Sequence, residues 1–102
     1  MLYMVMTTFP MKSSVDAGKI FVEELANPLS HVNRVDMWIS YGGDGVKTWE
    51  IHETEKGYDE EGYLELSNYL AKYRDVEGFK IDILPVLKPE DALSLIGITP
   101  PA

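Results

Sequence analysis

The chain opens on an unbroken apolar run, Leu2-Tyr3-Met4-Val5-Met6-Thr7-Thr8, that ends at Phe9-Pro10. Large residues on both parities predict a strand buried on both faces, and hence a central one. Helical spacing then takes over. Gly18, Phe21, Val22 and Leu25 form the apolar stripe of a helix expected from about residue 15 to 27. Ser13 or Ser14 is placed to cap it, Asp16 suits its positive end, and Pro28 stops it. Two strands, over 32–41 and 46–54, flank Gly42-Gly43-Asp44-Gly45, whose residues tolerate the positive φ of a tight hairpin turn. A second helix is expected over 59–73, acidic at its start (Asp59, Glu60, Glu61) and basic at its end (Lys72, Arg74). Its buried stripe is Gly62, Leu66, Tyr69, Leu70 and Tyr73. A fourth strand over 79–86 alternates Phe79, Ile81 and Ile83 with Lys80 and Asp82. Pro89 starts a short third helix, Gly97 ends it, and 98–102 is read as a tail.

This order, βαββαβ plus a short helix, predicts one α+β domain over 1–97 with a ferredoxin-like fold. Its four-stranded antiparallel sheet would carry two helices on one face. A hairpin loop of two or four residues puts Val35, Met37, Ile39 and Tyr41 on the face of Val46, Thr48, Glu50 and His52. Asp36, Trp38 and Ser40 then share the other face with Lys47, Trp49 and Ile51, and a loop of three or five exchanges the third-strand set. In either register both faces carry large apolar groups. Trp38 and Trp49 left in water would make a patch larger than a monomer normally shows. The expectation is a homodimer, packed sheet against sheet, with those two tryptophans at the interface. The plain alternative folds the third helix and the tail over that face.

Composition narrows the chemistry. The 102 residues include no Cys, which excludes disulfides, thiolate nucleophiles and thiolate metal sites. Nine Lys+Arg against 17 Asp+Glu leave a formal charge of −8, which argues against nucleic acid and anionic membranes as partners. The apolar start has no basic flank and falls well short of the roughly 20 residues that span a bilayer, so a cytoplasmic protein is expected.

The Met-Leu-Tyr-Met-Val-Met opening and the Trp38-to-Trp49 hairpin carry a resemblance, as does the ending Glu77-Gly78-Phe79 … Ile83-Leu84-Pro85-Val86 … Pro89-Glu90-Asp91-Ala92. Over nearly the whole chain this pattern resembles small uncharacterised bacterial proteins of the dimeric α+β barrel superfamily. The resemblance implies a sheet-to-sheet dimer. It also implies a choice among cofactor-free monooxygenases, haem-degrading enzymes, lactone isomerases, stress-response barrels and ligand-sensing regulatory domains. One fold hosts all of these, so the function has to come from the site.

Among single residues, His52 is the sharpest candidate. Glu50 precedes it by two on a strand, so both share a face and a carboxylate could orient the imidazole for general-base work. A partly solvated histidine near a strand end, beside a rim charge, is the plain alternative. His31, between Pro28 and Asn33, reads as a loop histidine. No His-x₃-His or Glu-x₂-His spacing supports a metal, and no cofactor is expected. The glycine-rich hairpin lacks the following helix and Lys-Ser/Thr pair of a phosphate cradle. Three functions remain open. The first is a small-molecule-binding or regulatory protein, with a helix–sheet cavity for an apolar or aromatic ligand lined by Met37, Ile39, Tyr41 and Tyr69. The second is a cofactor-independent monooxygenase or isomerase with His52 as base and Tyr41 or Trp49 shaping the pocket. The third is an assembly module.

Overall fold

The computed structural model describes residues 1–99 and 101. Its elements, in chain order, are β1 (Leu2–Phe9), α1 (Ser14–Ala26), β2 (Val32–Gly42), β3 (Gly45–Thr54), α2 (Asp59–Ala71), β4 (Lys80–Val86) and α3 (Pro89–Leu95). Short 3₁₀ turns precede α1 at Met11–Ser13 and extend α2 at Lys72–Asp75. The α-helical hydrogen bonding of α2 therefore stops two residues before the expected end. The tail expected over 98–102 lies partly outside the described residues.

The four strands form one antiparallel sheet in the order β2-β3-β1-β4, which is consistent with a ferredoxin-like arrangement and makes β1 and β3 central. The hairpin loop holds two residues, Gly43 and Asp44, between paired Gly42 and Gly45. Of the four turn residues only Gly45 takes a positive φ, +106°. A Cβ there would meet the Phe9 carbonyl oxygen at 2.5 Å, so glycine also permits the close approach of β1.

This loop length sets the faces. Trp38 sits opposite Trp49, and Met37, Ile39 and Tyr41 lie opposite Glu50, Thr48 and Val46. The expected company of Val35 does not hold. A β-bulge between Arg34 and Asp36 makes Val35 the extra residue, 58% exposed, and turns Arg34 in to face His52 instead.

Helices α1 and α2 cover the face built from Tyr3, Val5, Thr7, Val46, Thr48, Glu50, His52 and their β2 partners. The expected α2 stripe of Gly62, Leu66, Tyr69, Leu70 and Tyr73 is buried there. Gly62 is needed because a Cβ would lie 2.7 Å from Thr54 Cγ2 and 2.9 Å from the His31 carbonyl oxygen. The α1 stripe is a correction. Val22 and Leu25 are exposed, as is Gly18, while Ala17, Ile20 and Glu24 turn toward the core and Phe21 is half-buried. The helix is rotated because Glu24 pairs with Arg34, which the bulge has brought under it. Neither serine caps α1 with its side chain: the Ser13 hydroxyl donates to the Glu77 carbonyl and the Ser14 hydroxyl to the Met11 carbonyl.

The other face, with Leu2, Met4, Met6, Trp38, Trp49, Ile51 and Leu84, carries neither α1 nor α2. Trp38 and Leu84 are exposed, while Met4, Met6, Trp49 and Ile51 are half-buried by one another. Helix α3 buries none of its residues, and Leu95, Ile96 and Ile98 stand in solvent.

Candidate functional site

Helix α2 lies close against β2 and β3, whereas α1 stands off the sheet and leaves a cavity of about 120 Å³ beneath it. Strand register explains its floor. Phe9, Val46 and Tyr41 form one row across β1, β3 and β2, Thr7, Thr48 and Ile39 the next, and Glu50 with Met37 the third. Phe21 and Gly18 of α1, with Leu70, Tyr73 and Phe79, supply the roof and far wall. The mouth is rimmed by residues that remain exposed, Ile39, Tyr41 and Gly18. Thr7 and Thr48 spend their hydroxyls on each other at 2.5 Å, so the lining there presents methyl groups as much as oxygen.

Of the residues expected to bind a ligand, Met37, Ile39 and Tyr41 line this cavity. Tyr69 does not. Its ring points into the core, where its hydroxyl lies 2.5 Å from that of Tyr73, and Tyr73 takes the place on the wall. Burial pushes both phenols up and keeps them protonated. Trp49 lies on the opposite face of the sheet and shapes nothing in the cavity.

Glu50 is the charged residue of the lining, and its side chain is 94% withdrawn from water because only 6% is exposed. Arg34 Nε donates to its Oε1 at 2.7 Å, and His52 Nε2 lies 3.3 Å from the same oxygen. A second guanidinium nitrogen, Arg34 Nη1, donates to Glu24 Oε2 at 3.0 Å, and the Arg34 plane sits 4.8 Å over the Phe21 ring. Burial raises the Glu50 pKa, but hydrogen bonds from His52 and Arg34 more than offset it and hold the carboxyl below the usual glutamate range. Glu50 is thus an ionised carboxylate. Both of its contacts use Oε1, and Oε2 has no hydrogen-bond partner among the described residues.

His52 sits one row further along the sheet, between Tyr3 and Arg34, and is 1% exposed. The structure brings it to Glu50 but leaves it out of the cavity lining, so a substrate in the cavity would meet the carboxylate rather than the imidazole. Its Nδ1 is buried without a partner, as is Arg34 Nη2.

Arg34 and Glu24 escaped the sequence reading. A signal existed: Arg34 is the sole basic residue between Lys19 and Lys47, and it sits inside a strand. His31 is placed where the loop enters β2. Its backbone N–H donates to Glu65 Oε1 at 2.9 Å, its Nδ1 pairs with Glu65 Oε2, and its ring stacks on Tyr58 at 4.3 Å. Among the described residues no three His, Asp or Glu converge as metal ligands, and no helix is long and apolar enough to cross a membrane.

No family model and no curated protein matches the chain. Among solved structures, it is similar to the solution structure of the C-terminal domain of the MgtC protein from Mycobacterium tuberculosis. The TM-score is 0.54 at 14% identity, over 81% of this chain and 84% of that one. The chain shares its fold. That likeness extends to a small α+β domain with a four-stranded antiparallel sheet, and at this identity it extends no further.

Proposed function

We propose that this chain is a small-molecule-binding, regulatory domain of the dimeric α+β barrel type, holding its ligand between α1 and the sheet. The observation that carries the reading is the apolar cavity that ends on a buried carboxylate with one unpartnered oxygen. A cavity of about 120 Å³ suits a single ring or a branched chain of similar bulk, since an engineered cavity of about 150 Å³ admits benzene. Binding is favoured over catalysis by His52, because that imidazole is sealed off behind Glu50.

The bare sheet face supports the homodimer. Met4, Met6, Trp38, Trp49, Ile51 and Leu84 share this face, with Asp36 and Asp82 in the same rows, and a second copy is the simplest cover for its apolar part. The radius of gyration, 15.6 Å, exceeds the about 13 Å of a compact chain of about 100 residues, which fits a protomer completed by another.

The binding reading is tested with small neutral aromatics followed by amide chemical shifts and thermal shift. Shifts are expected at Ile39, Tyr41 and Val46, with a rise in Tm that Ile39→Trp abolishes by filling the mouth. If a panel of such fragments moves no resonance of the cavity wall, the reading fails.

A further inference from the structure

The binding reading leaves the ligand's chemical class open, and the electrostatics of the cavity floor narrow it. The cluster sets two carboxylates, Glu24 and Glu50, around the single guanidinium of Arg34, with His52 beside Glu50. Glu50 Oε2 is not among the sealed atoms that lack a partner, which are Arg34 Nη2 and His52 Nδ1, so this oxygen is reached from the cavity rather than closed into the core. The open valence lies on the cavity side. Glu50 Oε1 takes both protein donors, Oε2 takes none, and Glu50 is the charged residue of the lining. The rest of the wall is rich in π-faces, with Phe9, Phe21, Tyr41, Tyr73 and Phe79. Phe21 already accepts a cation on its ring from Arg34. At long range the chain's net charge of −8 attracts cations and repels anions.

We propose that the cavity takes a small organic cation, a primary amine carried on one aromatic ring or on a hydrocarbon of similar size. The ammonium donates to Glu50 Oε2, and the apolar part packs among the aromatic walls under α1. The proposal rests on the binding reading above and adds a charge to its ligand.

Three probes of matched shape separate the possibilities: benzylamine, benzyl alcohol and benzoate, each titrated into the intact chain at neutral pH with calorimetry and amide shifts. Benzylamine is expected to bind about tenfold more tightly than benzyl alcohol, the gain of a charge-assisted over a neutral hydrogen bond, and benzoate to bind least. Glu50→Gln keeps an acceptor while removing the charge, and is expected to bring amine and alcohol to equal affinity. The comparison in the unaltered chain decides the matter even if that variant does not fold. Alcohol binding as tightly as amine overturns the cation and leaves the binding reading standing. Benzoate binding most tightly also overturns it and points to Arg34 as the recognising group. Silence from all three probes at the cavity wall removes both.

Discussion

On the helix-covered face of the sheet, Val5, Val46 and His52 are almost wholly withdrawn from water, whereas on the bare face Trp38 and Leu84 keep 53% and 48% of their surface exposed. The contrast is sharpest along β3. Its covered side carries Thr48, Glu50, His52 and Thr54, all buried, while its bare side carries Trp49 and Ile51. A rule that sends apolar residues inward does not separate these faces, since Val46 joins the covered side while Lys47 and Glu53 flank Trp49 and Ile51 on the bare one. Polar groups tolerate the covered side because they are paired: Thr48 with Thr7, Thr54 with Asp59, and Glu50 with Arg34 and His52. Burial here follows the helices, and hydrogen bonds make it affordable for the residues the helices happen to cover.

The comparison breaks most severely at Arg34. Arg34→Ala removes the group that neutralises Glu24 and Glu50, and is expected to cost about 3–5 kcal/mol in urea unfolding, because Glu24 is left buried without a partner and Glu50 keeps only His52. Leu66→Ala, under α2, should cost about 2–5 kcal/mol. That loss should not change with protein concentration, whereas the destabilisation by Leu84→Ala on the bare face should, if that face is covered only by a second copy.

Trp38→Lys sharpens the same contrast. Light scattering should show a mass of twice 11.5 kDa for the parent and 11.5 kDa for the variant, with the far-ultraviolet dichroism of the protomer retained. A parent mass of 11.5 kDa at micromolar concentration would refute the sheet-to-sheet dimer.

The smallest effect lies outside both faces, at His31. The hydrogen bond with Glu65 raises the His31 pKa, with burial opposing it, and the same bond lowers that of Glu65. The His31 contribution is therefore fully present below the ordinary histidine value and is lost as pH rises through the raised, folded value. The Glu65 contribution is present above the ordinary glutamate value and is lost as pH falls through its lowered one. Glu65→Gln should shift the ring titration of His31 to lower pH in a proton chemical-shift series. An unmoved midpoint would mean that the pair is not coupled in solution.

Much of the architecture was legible in the chain. The strands, the two long helices and the hairpin were marked by period, glycine and proline, which act locally and so survive in a linear reading. The inward set on α2 was legible too, since Leu66, Tyr69, Leu70 and Tyr73 follow one helical stripe and nothing competes with it. On α1 the stripe misled. Val22 and Leu25 have the right spacing, yet Glu24 faces inward because its partner Arg34 stands on another element.

What the sequence by itself determined is the βαββαβ order and a central first strand, both consequences of short-range geometry. The hairpin register that sets Trp38 opposite Trp49 came from the structure. Only the tertiary structure decided that a bulge at Val35 turns Arg34 inward, that His52 is sealed while Glu50 keeps a free oxygen, and that Tyr73 rather than Tyr69 walls the cavity. The reason is physical. A bulge shifts a strand's parity by one residue, and the gain that holds the shifted register comes from Glu24 and Glu50, ten and sixteen positions away in the chain. Local patterns carry no record of a partner that arrives from another element.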